Sequence, residues 1–347
     1  MGVGRVNAPC CVAAAAIGVA LLGGSIAVGD DSANAVVPIA ADTSIRFATD
    51  EQGQAVLGKR DRFVDAQSPW DRQARLKTDR DVSVDEYLKF AAGEAITWSD
   101  ADRQKLAAAL EKVRERLRPW KLPWPREILL IQTTGKEEGR AAYCRQNAIV
   151  LPRNIVGGRG GESLERLLLH ELFHILSSHN EELRERLYAV VGFSRCGAVM
   201  LREELAARRI TNPDAPTLEH AVGIAVDDKP VLVVPILLAD SAKYDAAGGK
   251  EFFAHMQFRL IAVEKTAGGK FAARLVDGKP QLLDPAKTPS YHDKIGRNTG
   301  YIIHAEEILA DNFVLLVTGE TDVKTPRILD EMRTILSKPP GAADTRE

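Results

Sequence analysis

The chain has 347 residues, of which 45% are hydrophobic and 27% are charged, and its formal net charge is -2. This composition is typical of one or two globular domains with sizeable cores. The near-neutral net charge does not point to the strongly basic surface by which many proteins hold nucleic acid. We therefore expect a globular protein that has no nucleic-acid partner.

The first residues have the layout of a secretory signal peptide. Arg5 precedes an apolar run over residues 10–29, and Ala33-Asn34-Ala35 follows as a small-x-small cleavage site. We predict a signal peptide over residues 1–35, cleaved after Ala35, and a secreted or periplasmic protein. The apolar run is nearly long enough to cross a bilayer, so an uncleaved N-terminal membrane anchor is the alternative.

Cleavage at that position would leave two cysteines, Cys144 and Cys196. An even pair in an oxidising compartment is compatible with one disulfide, and two free buried thiols are the alternative. The sequence does not choose between these two states.

Residues 36–80 are polar, with charged residues interrupting every apolar cluster, and they predict an extended or loosely packed leader that is disordered or acts as a propeptide. Regular patterns begin at residue 81. Ser99 is placed as the N-cap of a helix that ends at Pro119, and Ser163 as the N-cap of a helix that follows a glycine-rich break. Other predicted helices cover residues 81–92, 181–191 and 198–209, and predicted strands cover residues 128–133 and 148–151.

The pattern changes to β over residues 211–290, after a loop in which Asn212-Pro213-Asp214 is a turn signal. Apolar runs over residues 222–226, 230–238, 258–263 and 272–276 predict an inserted antiparallel sheet. Residues 291–338 are predicted to be mainly helical, and residues 339–347 form a Pro-rich tail that we expect to be disordered.

A chemically unusual helix lies between these regions. Residues 167–176 read Leu-Leu-Leu-His-Glu-Leu-Phe-His-Ile-Leu, so two imidazoles and a carboxylate lie in an apolar helix that should be buried. Burial without partners would cost roughly 2 kcal/mol or more for each group. His170 and His174 lie at i and i+4, about 40° apart around the helix, so both rings can reach one cation, with Glu171 beside them. A core helix with hydrogen-bonded histidines is the alternative.

A catalytic zinc ion usually takes three protein ligands, so the two histidines need a third. His179 lies about 180° round the helix from His170, and we expect it to be solvated. The apolar run over residues 301–313 repeats the first anomaly, because it carries Glu307 and Asp311 at i and i+4 on one face. Glu307 would bind the metal, while Asp311 would accept the N–H of a ligating histidine.

Two neighbours of Glu307 are further candidates. Glu306 is the rival ligand by adjacency, but Ala310 at i+4 gives it no acidic helper. His304 shares the face of Glu307, and it is a ligand, a proton donor or an ordinary polar residue near a helix start. The sequence leaves these three roles open.

A hydrogen-bond donor for the transition-state oxyanion is also expected. Tyr291, His292 and Tyr301 lie in or beside a polar loop before the Glu307 helix, and spacing does not choose among them. His304 is the fourth candidate for this role. His220 and His255 lie in or next to β-like runs, and we expect them at the surface.

H-E-x-x-H on one helix and E-x-x-x-D on a later helix resemble the gluzincins, the thermolysin-like zinc metallopeptidases. The resemblance implies one Zn²⁺ per chain, with His170, His174 and Glu307 as ligands, Glu171 as general base and Asp311 as the outer partner of a histidine. It covers only these two helices. The sequence also departs from the familiar pattern, because 133 positions separate His174 from Glu307 (307 minus 174).

The resemblance further implies an α+β, zincin-like fold, in which a small mixed or antiparallel sheet packs on the metal-binding helix. Residues 81–210 would be the N-terminal part of the metallopeptidase, and residues 148–151 would be the edge strand that pairs with an extended peptide. We expect an exported zinc-dependent peptidase acting on a peptide or protein substrate. The alternatives are an exported, non-catalytic zinc-binding protein and a zinc hydrolase of a non-peptide amide, such as cell-wall material.

Overall fold

Residues 36–158 and 161–337 are the part of the chain that the computed structural model describes. The predicted signal peptide or anchor and the predicted tail lie outside the described residues. The helices are α1 (Asp50–Leu57), α2 (Arg62–Ala66), α3 (Pro69–Leu76), α4 (Val84–Gly93), α5 (Asp100–Leu117), α6 (Arg153–Gly158), α7 (Gly161–His179), α8 (Glu181–Val190), α9 (Glu203–Ala206), α10 (Pro289–Ile295), α11 (Ala305–Thr318) and α12 (Pro326–Leu336).

A mixed sheet occupies the first half of the chain. Its strands are β1 (Val36–Ala40), β2 (Thr43–Phe47), β3 (Ala95–Ile96), β4 (Glu127–Thr133), β5 (Tyr143–Arg145) and β6 (Ala148–Pro152). They follow the order β1-β2-β4-β6-β5, and β3 pairs with part of β4. The central strands β2, β4 and β6 are parallel, whereas β1 and β5 pair antiparallel with their neighbours.

The two faces of β4 pack against different helices. Ile128 and Leu130 belong to the core cluster that includes residues of α5 and α7. Leu129 and Ile131 belong to a second cluster with residues of α1, α2 and α4. Because successive side chains of a strand point to opposite faces, a strand covered on both faces is apolar at successive positions, as residues 128–131 of β4 are.

The expectation of a loosely packed leader over residues 36–80 is wrong. The segment forms β1, β2 and α1 to α3, and Phe47, Leu57 and Trp70 in it are buried. Its polar residues are the solvent-facing sides and caps of short elements. Side chains of Thr49, Asp61 and Ser68 cap α1, α2 and α3.

The predicted start of α5 is confirmed, because the Ser99 side chain accepts a hydrogen bond from the backbone N–H of Asp102. The helix ends at Leu117, two residues before Pro119. The predicted start of α7 is wrong: Ser163 lies within the first turn because the backbone is already helical at Gly161.

A second sheet follows α8. Its strands are β7 (Phe193–Arg195), β8 (Val199–Met200), β9 (Arg209–Ile210), β10 (His220–Val226), β11 (Lys229–Ala239), β12 (Met256–Lys265), β13 (Phe271–Ala273) and β16 (Leu282–Leu283), while β14 (Leu275–Val276) and β15 (Lys279–Pro280) form a separate hairpin. Strands β10, β11 and β12 are its antiparallel centre. Asp227 and Asp228 connect β10 to β11 with φ of 49° and 59°, the left-handed backbone of a two-residue hairpin turn.

The predicted β region is confirmed, but the sheet begins at residue 193 rather than after residue 210. The helix predicted over residues 198–209 is wrong, because only α9 is helical and β8 and β9 flank it. Pairing of β8 with β13 and of β9 with β11 overrides the local helix propensity of this charged segment.

Helices α7 and α11 pack against each other in the main core, where the rings of Phe173 and Phe313 are 5.6 Å apart. The described chain is therefore a mixed α and β structure with more than one sheet. Helix α7 carries the H-E-x-x-H motif, so we call it the metal-motif helix, and it lies between the first sheet and α11. Cys144 and Cys196 are both free thiols, so the disulfide alternative is excluded in this structure.

Candidate metal centre

Packing of α11 against α7 brings His170, His174 and Glu307 together. Their ligand atoms all lie within 4.8 Å of one another. Nε2 of His170 is 3.1 Å from Oε2 of Glu307, and Nε2 of His174 is 3.6 Å from the same oxygen. These three residues, predicted from the sequence as metal ligands, lie together although they are far apart along the chain. We call them the metal group.

The other ring nitrogen of each histidine faces a second carboxylate. Nδ1 of His170 is 3.0 Å from Oδ1 of Asp311, as the sequence analysis expected for that side chain. Nδ1 of His174 is 3.0 Å from Oε1 of Glu306, a contact that the sequence analysis missed. These contacts fix the ring orientations and direct both Nε2 atoms toward Glu307.

Glu306 is itself held on its far side. Its Oε2 accepts hydrogen bonds from the hydroxyls of Ser177 at 2.7 Å and Tyr188 at 2.6 Å. The sequence carried one sign of this role for Glu306. It has two consecutive glutamates in an apolar helix, and each of them needs a partner when it is buried.

The donor set fits a zinc ion. Nε2 of His174 is buried and has no hydrogen-bond partner, which is costly unless something else satisfies the atom. Two imidazole nitrogens and one carboxylate, each histidine backed by another carboxylate, match the ligands and outer contacts that zinc takes in proteins. The residues present therefore fit the zinc ion that the H-E-x-x-H motif implies.

The electrostatics of the group also favour a cation. Burial lowers the pKa of His170, but hydrogen bonds with Asp311 and Glu307 outweigh it and raise this pKa to about 10. Burial raises the pKa of Glu307, but the two neighbouring histidines outweigh it and hold this pKa well below its usual range. The neighbouring carboxylates thus stabilise positive charge on the His170 ring.

Glu171 lies beside this group, and its side chain is buried. Burial raises the pKa of its carboxyl against the opposing effect of His174 and His170. The Cys144 thiol lies 3.4 Å from Glu171 Oε2 and donates a weak hydrogen bond to it. A carboxyl whose pKa is raised above its usual range suits the transfer of protons in both directions.

Four side chains were predicted as candidates for transition-state stabilisation. Of these, Tyr301 is the one whose ring contacts a histidine of the metal group. Its ring stacks on His170 with centroids 6.2 Å apart and planes at 23°. Tyr291 is buried and donates to the carbonyl of Ile302, and Nε2 of His292 hydrogen-bonds to the carbonyl of Pro285. The structure does not bring these last two side chains to the metal group.

His304 is the N-cap of α11, because its Nδ1 accepts a hydrogen bond from the backbone N–H of Glu306. Burial lowers its pKa to about 3, which keeps the ring neutral. His220 and His255, expected at the surface, are instead buried against Glu185 and Asp240. Glu185 pairs with Nε2 of His220 and Asp240 with Nδ1 of His255, whereas Nε2 of His255 is buried without a hydrogen-bond partner.

Two cavities open on the group. One of about 880 Å³ is lined by His170, Glu171, Tyr301 and Glu307. One of about 380 Å³ is lined by His174 and by residues of the loop over 213–217. We call them the larger and the smaller cavity.

The loop between β9 and β10 reaches the site. The sequence predicted this loop only as a turn. The Asn212 amide donates to Oε1 of Glu307 at 2.5 Å. Oδ1 of Asp214 accepts from the backbone N–H of Cys144 at 2.8 Å. The loop therefore contacts both the proposed ligand and the strand beside it.

This loop is anchored to the N-terminal helices. The backbone N–H of Thr211 donates to Asp71 at 3.0 Å, and the Thr211 carbonyl accepts from Arg75 at 3.1 Å. Arg75 also pairs with Asp71 and with Glu138 in a buried cluster. The segment predicted to be a leader thus supports one wall of the site.

The edge strand next to α7 is β5, and not the predicted strand over residues 148–151. That strand, β6, lies between β4 and β5. The chain reverses after Arg145 at Gln146, whose φ is 57°, and returns as β6. Because of this tight turn, β5, the shorter of the two strands, lies at the edge of the sheet.

Within the part of the chain that the structure describes, no helix combines the length and the apolar character needed to cross a membrane. Comparison of the chain with models of known protein families, with curated proteins and with solved structures gives no match.

Proposed function

We propose that the protein is an exported zinc-dependent peptidase of the gluzincin type. The observation that supports this most directly is the convergence of both histidine Nε2 atoms on the Glu307 carboxylate, with Asp311 and Glu306 behind the rings. A bound zinc ion would supply Lewis acidity and make water acidic enough to be deprotonated near neutral pH. The zincin-like character of the fold belongs to the same proposal.

The residues of the chain would then divide the work. Glu171 takes a proton from the attacking water and passes it to the leaving amine. Tyr301, stacked on His170, is the candidate donor to the developing oxyanion. Strand β5 is the candidate edge for pairing with the substrate backbone.

The test is Glu171→Gln in the zinc-loaded protein, with peptide libraries as substrates and mass spectrometry as the readout. We expect unchanged zinc content and a loss of about 10²- to 10⁴-fold in hydrolysis, because the general base is removed and the ligands are kept. Glu331→Gln, at an exposed i,i+4 pair with Arg327, is the matched control and should keep full activity.

Retention of hydrolysis in Glu171→Gln would exclude this mechanism. Zinc binding by the wild type without turnover of any peptide would instead favour a zinc-binding protein. Hydrolysis of cell-wall amides but not of peptides would assign the site to another class of substrate.

A further inference from the structure

The edge strand β5 connects the two cavities. Residues 140–142, just before β5, line the larger cavity together with Glu171. Residues 144–146 line the smaller cavity together with His174. The edge of β5 therefore leads from the larger cavity to the smaller one past the metal group.

The backbone N–H of the middle residue of β5 is already hydrogen-bonded within the protein, and we call this hydrogen bond the cap. The backbone N–H of Cys144 donates to Oδ1 of Asp214 at 2.8 Å. An exposed backbone N–H of an edge strand is the donor that a bound peptide strand would use. Because a side chain of the protein already holds this donor, it is not free for an extended substrate, and we expect pairing along β5 to stop at this residue.

The cap is an integral part of the fold. The backbone N–H of Asp214 donates to the Asn212 side chain at 3.1 Å, and Asn212 in turn donates to Glu307. Thr211, one residue earlier, is held by Asp71 and by the carbonyl of Ala66. The loop is thus fixed at both the metal group and the N-terminal helices.

Acidic side chains line the closed end. Carboxylate oxygens of Asp214 and Glu171 and the sulfur of Cys144 lie within 4.8 Å of one another. A peptide's terminal carboxylate would be repelled there, whereas an ammonium group would be attracted. In a peptide the α-nitrogen and the carbonyl carbon of one residue are only about 2.5 Å apart. An ammonium group at Asp214 would therefore leave the first carbonyl beside Glu171.

We propose that Asp214 binds the α-ammonium group of a peptide's first residue, so that the site removes residues from free amino termini. The inference rests on the proposed peptidase function. Water adds to the first carbonyl carbon, the first C–N peptide bond breaks, and the proton carried by Glu171 goes to the leaving nitrogen. The products are one free amino acid and a peptide shortened by one residue.

The test compares matched peptides that have either a free or an acetylated amino terminus, one pair with Lys as the first residue and one with Leu. The zinc-loaded wild type should cleave the free peptides about 100-fold faster or more. Asp214→Asn should lower cleavage of the free peptides by about 100-fold, because the amide keeps the bond from Cys144 and removes only the charge. Asp293→Asn, at an exposed pair with Arg297, is the control.

A binding measurement separates this inference from the proposed function. Zinc-loaded Glu171→Gln should bind a free peptide about 100-fold more tightly than its acetylated form in titration calorimetry. Such selective binding without wild-type turnover would support recognition by Asp214 and contradict the peptidase proposal.

Equal cleavage of free and acetylated peptides by the wild type would overturn the inference and leave the peptidase standing. Cleavage of the acetylated Lys peptide alone among the acetylated ones would also overturn it, since Asp214 would then recognise a basic side chain. An inactive wild type with an active Asp214→Asn variant would overturn it too, and would identify the loop as a plug.

Discussion

Glu306 and Glu307 are adjacent in sequence but contact opposite nitrogens of the same ring. Glu307 faces Nε2 of His174, and Glu306 faces Nδ1. Consecutive positions on a helix point about 100° apart, so the His174 ring fits between the two carboxylates. Each glutamate therefore has a distinct task, one at the cation and one in orienting a ligand.

Glu306→Ala should weaken zinc binding by about 10- to 100-fold, because His174 loses the carboxylate that fixes its ring. The zinc dissociation constant, measured by competition with a chelator, checks this. The exposed Glu331→Ala is the control for a general effect of removing a carboxylate. Unchanged zinc affinity in a folded Glu306→Ala protein would show that Glu306 does not orient the ligand.

The sequence was informative for residues whose partners lie on the same helix face. His170 with His174, and Glu307 with Asp311, were found because i and i+4 positions share a face. The contacts of Glu306, Asn212 and Asp214 were not predicted, because their partners come from other elements. A local pattern does not give such contacts before the packing of the elements is known.

At the scale of elements, the loop after β9 links α3 to the metal group. Arg75 is the centre of this link, because its guanidinium pairs with Asp71 and Glu138 and donates to the Thr211 carbonyl. All three charged side chains are almost fully buried. The loop position thus depends on a charge cluster that contains no residue of α7 or α11.

Arg75→Met should lower the free energy of unfolding by about 3–5 kcal/mol, because two buried carboxylates lose their cation. Urea unfolding followed by circular dichroism measures this change. Arg327→Met removes an exposed ion pair and should change stability by at most about 1 kcal/mol. Equal losses in the two variants would contradict a structural role for the buried cluster.

Strands β10, β11 and β12 were predictable because their apolar runs are long and are separated by clear turn residues. The helix expected over residues 198–209 failed where two-residue strands pair with distant partners. Helix propensity is a local property, whereas such pairing is decided by tertiary contacts.

At the scale of the whole molecule, the N-terminal segment over residues 36–80 is part of the main fold. Strand β2 pairs with β4, and Phe47 lies in the same core cluster as Phe173 of the metal-motif helix. The polar composition of the segment concealed this because its elements are short and each buries only one side. Burial of Trp70 and Leu57 in the structure is what distinguishes it from a detachable leader.

Deletion of residues 36–80 should therefore abolish folding, because it removes the parallel neighbour β2 of β4 together with α1 and α2, which cover one face of β4. Circular dichroism and limited proteolysis of the truncated chain, compared with a chain that starts at residue 36, check this. A truncated chain that remained folded and bound zinc would identify the segment as a separable propeptide.

The central claim is that α7 and α11 together hold one divalent cation. The most direct measurement is a crystal structure of the zinc-loaded protein with data collected at the zinc absorption edge. We expect one anomalous peak per chain, with Nε2 of His170, Nε2 of His174 and a Glu307 oxygen at about 2.0–2.2 Å from it. A peak elsewhere in the chain, or none at this group under saturating zinc, would contradict the account.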